Sequence, residues 1–284
     1  MGLWLGGRFR LDERVVAGGH LLWKATDELL CRPVTIRLLP RGVRVPARVM
    51  AAVQAAARVG DPRLAAIYDT DYDIEGPYIV SEWTPGTHLE DLVLSGLPSP
   101  ALAAAMIADA ADALAVAHRA GLPHLCLSPR SLCWDTGSGL KISGLGIDAA
   151  LAGVQAADPA AAAAADTQAL GRMLYALLTG YWPGEEPTAL PAAPRHHGQV
   201  YTPRQVRAGV PGVLDAITCH ALQLSSAALS PGLSPGLSPA GLAVALRATY
   251  SPSRSAVPAA ETVPRPRARH ARVRHHTSLL RPAA

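Results

Sequence analysis

Lysine is almost absent from this chain: of its 26 basic residues only Lys24 and Lys141 are lysine, the rest arginine. Cysteine is scarce as well. Cys31, Cys126, Cys133 and Cys219 show neither paired metal spacing nor a dense bridging pattern, which excludes a disulfide-built scaffold and fits a reduced, cytoplasmic setting. Long apolar runs are lacking too. Residues 1–9 are apolar, but too short and without the basic start of a secretory signal. The Ala-rich stretch 101–117 is broken by Asp109 and Asp112, so it is expected to be a helix of a soluble domain and not a membrane span.

What is present is ordinary globular material. The 284 residues, 49% apolar and 17% charged, suffice for one large core or for two lobes around a cleft. Charge is placed unevenly. From residue 254 onward there are seven arginines against the single acid Glu261, while the remainder is close to balance. Residues 251–284, rich in Pro, Arg, His and Ala and without periodicity, are expected to form a disordered basic tail.

Residues 113–146 organise the rest: ALAVAHRAGLPHLCLSPRSLCWDTGSGLKISGLG. Apolar residues at helical spacing end in His118, Arg119 and Gly121, the signature of a helix C-terminus. A tight loop runs over residues 124–134, and a turn at 135–137 leads into a short β run, Leu140, Lys141 and Ile142, and a GLG turn. This frame closely resembles the bacterial Ser/Thr protein kinases, in which the corresponding run is ALxxAHxxGIIHRDVKPxNI…VKIxDFG, without a gap through the loop. The arginine bias fits high-GC coding of the actinobacterial kind.

In that family the loop Asp accepts the substrate proton, the loop Asn and the DFG Asp hold metal, and catalysis is mostly charge stabilisation. Here Cys126 stands at the base Asp, Ser128 at the loop Lys and Ser131 at the Asn; Gly144 replaces the DFG Asp and Leu145 its Phe. Cys126 invites a nucleophile reading, with no base beside it except His124; the plainer reading is a small residue where Asp used to be. What the resemblance leaves is scaffold: His124 as the structural His of the loop, and Gly146 as a turn glycine that permits positive φ.

Alternating runs at residues 8–16, 21–26 and 34–39 predict three strands. VAGGHLLWKATD stands where a kinase has its glycine-rich loop followed by VYxAxD, which makes Gly18, Gly19 and Leu22 expected groove residues; a plain hairpin turn is the alternative. The phosphate-binding Lys of the third strand is Arg37, cationic but differently shaped, with Lys24 the alternative as a relocated lysine. Residues 46–59 read as a helix, with Ala52 where a Glu would pair with the strand Lys, so both halves of that ion pair are expected to be lost. In PYIVSEWTPGTHLEDLV, Ser81 takes the gatekeeper position and the hinge runs from Glu82 to Thr84. Hinge recognition of adenine uses backbone groups. Weak, metal-independent ATP binding therefore stays open, with a roomy back to the pocket.

After Gly146 only a short, poly-Ala segment precedes Asp166, either a mobile linker or the start of a helix, and it lacks an APE ending. DTQALGRMLYALLTGYWP resembles DxYSLGxxLYELLTGxxPF, the buried central helix of the second kinase lobe, with Leu170, Met173, Leu174, Leu177 and Leu178 at helical spacing. The resemblance implies that Asp166 bonds the catalytic-loop backbone; a helix N-cap is the plain reading beside it. Residues 184–201 look loop-like, with His196 and His197 facing apart and solvated. Residues 203–223 and 239–250 read as helices, with SPGLSPGLSPAGL as a loop between them.

The resemblance spans residues 7–250 and implies an α+β, bilobal protein kinase-like fold: a β-rich lobe at 7–83, a helical lobe at 84–250, and the tail at 251–284. With its catalytic positions altered, the chain is similar to actinobacterial pseudokinases, nearest the cytosolic domain attached to the MviN lipid II flippase. That domain recruits a forkhead-associated partner in cell-wall regulation after phosphorylation, and a basic juxtamembrane stretch and a membrane helix can follow it. The resemblance thus implies an inactive binding or scaffold module, cytoplasmic, without a metal or resident cofactor, with forkhead-associated or cell-wall regulatory proteins as partners. The alternative is a weak, atypical Ser/Thr kinase that binds ATP between the lobes, with Asp135 and Asp148 as the only nearby carboxylates. For the basic tail, contact with nucleic acid or an anionic membrane stands against a solvated tail without specific role; Thr262 and Thr277 are its candidate phosphoacceptors.

Overall fold

The computed structural model describes residues 3–17, 20–40, 45–73, 76–224 and 237–249. Gly18, Gly19, most of the SPGL repeat and the whole of 251–284, with Thr262 and Thr277, lie outside the described residues.

The alternating segments form one antiparallel sheet. Its strands are β1 (Leu3–Leu5), β2 (Phe9–Ala17), β3 (His20–Asp27) and β4 (Arg32–Leu38), then, after helix α1 (Ala47–Ala56), β5 (Ile67–Asp73) and β6 (Gly76–Glu82). The order is β1-β2-β3-β4-β6-β5. Period-two alternation sends Leu5, Phe9, Leu11, Ala25, Val34, Ile36, Tyr78 and Val80 to one face, where they form a core of their own. Asp27 is buried at its rim, and both of its carboxylate oxygens accept from the Arg8 guanidinium, at 2.9 and 2.7 Å. A buried carboxylate needs that pairing, because an uncompensated charge there is strongly destabilising.

The rest is helical around a small sheet: β7 (Thr87–His88), α2 (Leu89–Ser95), α3 (Pro100–Arg119), β8 (Leu132–Asp135), β9 (Gly139–Ile142), α4 (Ile147–Ala152), α5 (Pro159–Thr179), the hairpin β10 (Arg195–His196) and β11 (Gln199–Val200), α6 (Pro203–Val206), α7 (Gly212–Ala221) and α8 (Pro239–Thr249). Helix α3 starts at Ser99, whose hydroxyl accepts the Leu102 N–H at 3.2 Å, with Pro100 in the first turn. Its buried alanines, among them Ala104, Ala108, Ala111 and Ala113, present almost no side-chain bulk, so neighbouring helices approach closely. By length and composition α3 is apolar enough to cross a membrane, yet 61% of that window is buried inside the protein, as in a core helix. Arg247 of α8 clamps it through Asp109 and Asp112, at 2.7 and 2.6 Å. A β lobe stacked on a helical lobe is thus the architecture, as the resemblance implies.

Of the two readings of the poly-Ala segment, the start of a helix is the one found: it is the opening of α5, capped by Asp158, whose carboxylate accepts the Ala161 N–H at 2.7 Å. Alanine has the highest helix propensity, so a capped alanine run extends the buried helix backwards. Asp166 therefore lies inside α5 and does not cap it. His196 and His197 do not face apart either. A left-handed His197 (φ 48°) in the hairpin turn brings the two exposed rings to 4.1 Å.

Candidate functional site

The groove between the lobes is built from β4, the β6 end, β9 and the turn into α4. Its floor is the loop of residues 124–131, and Asp166 holds that loop. The wholly buried Asp166 carboxylate accepts the backbone N–H groups of His124 (2.8 Å) and Leu125 (2.7 Å) and lies 2.8 Å from His118 Nε2. Leu125 takes a left-handed conformation, φ 60°, uncommon outside glycine and sustained by those fixed amides. His124 is also fully buried, with Nε2 3.0 Å from the Ser143 carbonyl oxygen. Gly146 has φ 65°, and a Cβ there would meet Leu122 Cδ1 at 2.6 Å; glycine takes that turn without strain and without displacing Leu122.

On this floor the chemistry-bearing positions are neutral. Ser128 and Ser131 hydrogen bond to each other, hydroxyl to hydroxyl at 3.2 Å, and the Ser128 N–H donates to Ser131 Oγ at 3.1 Å. Cys126 is half-buried; burial first, then the charges of Asp148 and Asp166, push its thiol above the ordinary range. That shift disfavours the thiolate a nucleophile requires.

At the far end of the groove, Gly144 has φ 83° and carries no side chain, yet the space beside it is filled. A Cβ on residue 144 would lie 2.0 Å from Oδ2 of Asp148. The carboxylate of Asp148, from the first turn of α4, reaches back into that space, and its Oδ1 is 2.7 Å from Nη2 of Arg37 on β4. Both side chains are largely buried, 12% and 19% exposed. Ala52 is buried on α1 and offers no carboxylate to the strand cation, and Arg37 pairs instead with Asp148. Asp135 is elsewhere, in the β8–β9 turn, where it accepts from the Gly137 and Ser138 N–H groups and is held below the usual carboxylate range by those bonds.

The hinge end is occupied as well. Thr35 Oγ1 on β4 donates to the Glu82 carbonyl oxygen at 3.2 Å, the Glu82 side chain pairs with Lys141 on β9, and Ala66 N–H donates to the same carboxylate at 3.1 Å. Lys24 lies 5.1 Å over the Trp83 ring, a cation–π contact and not a place beside Arg37. Ser81, Leu22, Glu82 and Thr84 do line the remaining cavity together with Arg37 and Gly144, but it measures about 60 Å³. Ligand pockets run to about 300–1,000 Å³. The room expected behind Ser81 is not there. Helix α4 closes it from below, and Arg48 of α1 secures α4 by donating to the Ala150 carbonyl at 2.9 Å.

Thr35, Lys141 and the pairing of Asp148 with Arg37 escaped sequence reasoning. Only the last left a signal, an acidic residue shortly after the altered GLG turn.

The protein shares its fold with solved kinase domains. The kinase domain of PknI from Mycobacterium tuberculosis superposes with a TM-score of 0.63 at 17% identity, covering 88% of this chain and 98% of that domain. The chain is a protein kinase-like domain. Among curated relatives it is 31% identical over 254 residues to the Ser/Thr protein kinase PknB of Mycolicibacterium smegmatis, 77% of this chain and 40% of that protein. It is 26% identical over 242 residues to PknL of Mycobacterium tuberculosis, 76% of this chain and 61% of that kinase. The chain spans less than two thirds of the length of either relative. No protein-family model matches it.

Proposed function

We propose that this kinase-like domain is catalytically inactive and works as a binding module for protein partners. One observation carries the reading. The carboxylate of Asp148, which fills the space beside Gly144, is ion-paired with Arg37 at 2.7 Å. A magnesium–nucleotide complex does not fit the residues present. Ser131 and Gly144 offer no carboxylate, hard divalent cations favour charged oxygen ligands, and Arg37 repels a cation placed at Asp148. The activation segment supports the same reading: between α4 and α5 only residues 153–158 remain, too few to build a ledge for a peptide substrate. The retained Asp166 network supports a fold kept for its surface.

The partners we infer are forkhead-associated or cell-wall regulatory proteins in the cytoplasm, with phosphorylation of this chain by an active Ser/Thr kinase as the signal. The test is incubation with radiolabelled ATP, magnesium or manganese, and a generic protein substrate. No incorporation above a protein-free blank is expected. Incorporation by the parent protein that disappears in Asp148→Ala would instead make it an atypical kinase.

A further inference from the structure

We propose that Asp148 is an internal plug: its carboxylate occupies, on Arg37, the place of an incoming anion, and the groove opens to a phosphate-bearing ligand only when Asp148 withdraws. Four features of the same few residues point to this. First, the carboxylate lies where a side chain on residue 144 would lie, within 2.0 Å of its Cβ position, so the missing side chain at 144 is what lets it enter. Second, the pair is close but poorly aimed. Although Nη2 and Oδ1 are 2.7 Å apart, Arg37 Nη1 and Asp148 Oδ1 are buried without a well-formed hydrogen bond. A guanidinium satisfies a carboxylate best as a two-bond fork, and an unspent buried donor costs free energy until something accepts from it. An anion with several oxygens is the chemistry that would use Nη1.

Third, the plug is mounted on a removable part. Helix α4 has six residues, begins at Gly146 (φ 65°), ends at Gly153 (φ 71°) and is tied to α1 by Arg48 on its Ala150 carbonyl. Short segments bounded by left-handed glycines are suited to absorb a hinge rotation. Fourth, withdrawal would enlarge a cavity that already reaches from Arg37 to Ser81, lined by Val15, Leu22, Ile79 and Leu145.

The inference rests on the inactive-domain reading only in expecting no turnover, so the two failures are distinguishable. Phosphoryl transfer that Asp148→Ala retains would remove that reading and leave the plug standing, and transfer that Asp148→Ala loses would remove both; the experiment below addresses the plug alone. Binding of ADP in excess EDTA is measured by calorimetry for the parent, Asp148→Ala, Asp148→Asn and Arg37→Ala/Asp148→Ala, and amide hydrogen exchange is followed over residues 147–152. When the competent state is a minor population, apparent affinity falls by that fraction. Asp148→Ala is therefore expected to bind ADP about tenfold or more tightly than the parent, with faster exchange in α4, and the double variant to lose the gain. ADP affinity in Asp148→Ala equal to the parent's overturns the proposal. Equal affinity in the single and double variants overturns the part given to Arg37. Should Asp148→Ala fail to fold, Asp148→Asn, which keeps the shape and loses the charge, decides in its place by the same criteria.

Discussion

Asp166, at the middle of α5, accepts the backbone N–H of His124 at 2.8 Å from a position with no solvent exposure. A carboxylate that receives two backbone donors and faces a histidine ring is a structural clasp. It holds in shape a loop that carries Cys126 and Ser128 where the resembling kinases have a carboxylate and a lysine.

The clasp predicts a large, local cost. Asp166→Ala leaves the His124 and Leu125 amides buried without acceptors, and each such group costs about 1–3 kcal/mol. A loss near 3 kcal/mol lowers Tm by about 6–12 °C for a domain of this size. Thermal unfolding followed by circular dichroism checks this; a shift below 2 °C would show that the loop finds other partners.

Crowding at Gly144 predicts a non-additive pair. Gly144→Ala places a Cβ 2.0 Å from Asp148 Oδ2 in a left-handed conformation, a strain of about 2–3 kcal/mol. Removing the carboxylate relieves the clash but not the φ. In urea denaturation the Gly144→Ala cost is expected to fall by about 1 kcal/mol in an Asp148→Ala background. Strict additivity would mean that Asp148 does not fill this space.

Acid should weaken the β lobe through Asp27. The Arg8 hydrogen bond, opposed by burial, holds its carboxyl below the ordinary 3.8. A lowered folded value contributes stability that is fully present above the unfolded value and is lost as the pH falls through the folded one. Asp61, held down by Arg63, acts in the same direction. Urea midpoints between pH 5 and 2.5 should fall for the parent and fall less steeply for Asp27→Asn; identical slopes would contradict the assignment.

Thiol reactivity separates the cysteines. Cys31 is exposed. Burial raises the thiols of Cys126 and Cys133 and pushes Cys219 up to about 12. Iodoacetamide at neutral pH, with mass-spectrometric mapping, should modify Cys31 first and Cys126 far more slowly. Preferential labelling of Cys126 would revive it as a nucleophile.

The floor of the groove was legible in the sequence through its resemblance to the kinase loop and central helix, although His124 and Asp166 stand 42 residues apart. His124, Gly146 and the Asp166 helix keep a fixed spacing, and each does a job that only its residue type can do: a ring bridging to a carbonyl, a positive φ, an acceptor for buried amides. The helical fate of the alanine run was legible only as an alternative, since alanine propensity needs the Asp158 cap to decide it. What stayed hidden are the pairs that none of the resembling motifs names. Thr35 and Glu82, Glu82 and Lys141, and Arg37 and Asp148 are each separated by dozens of residues or more, and no periodicity links them.

Read position by position against the motifs of the bacterial Ser/Thr kinases, the amino-acid order by itself implied the two-lobed architecture, the absence of a carboxylate at residues 126, 131 and 144, and the loop supports His124, Gly146 and Asp166. Tertiary structure alone decided that the groove is filled. Whether a carboxylate on one element reaches a cation on another depends on how α4 folds back beneath β4, and a glycine at residue 144 permits that approach without compelling it.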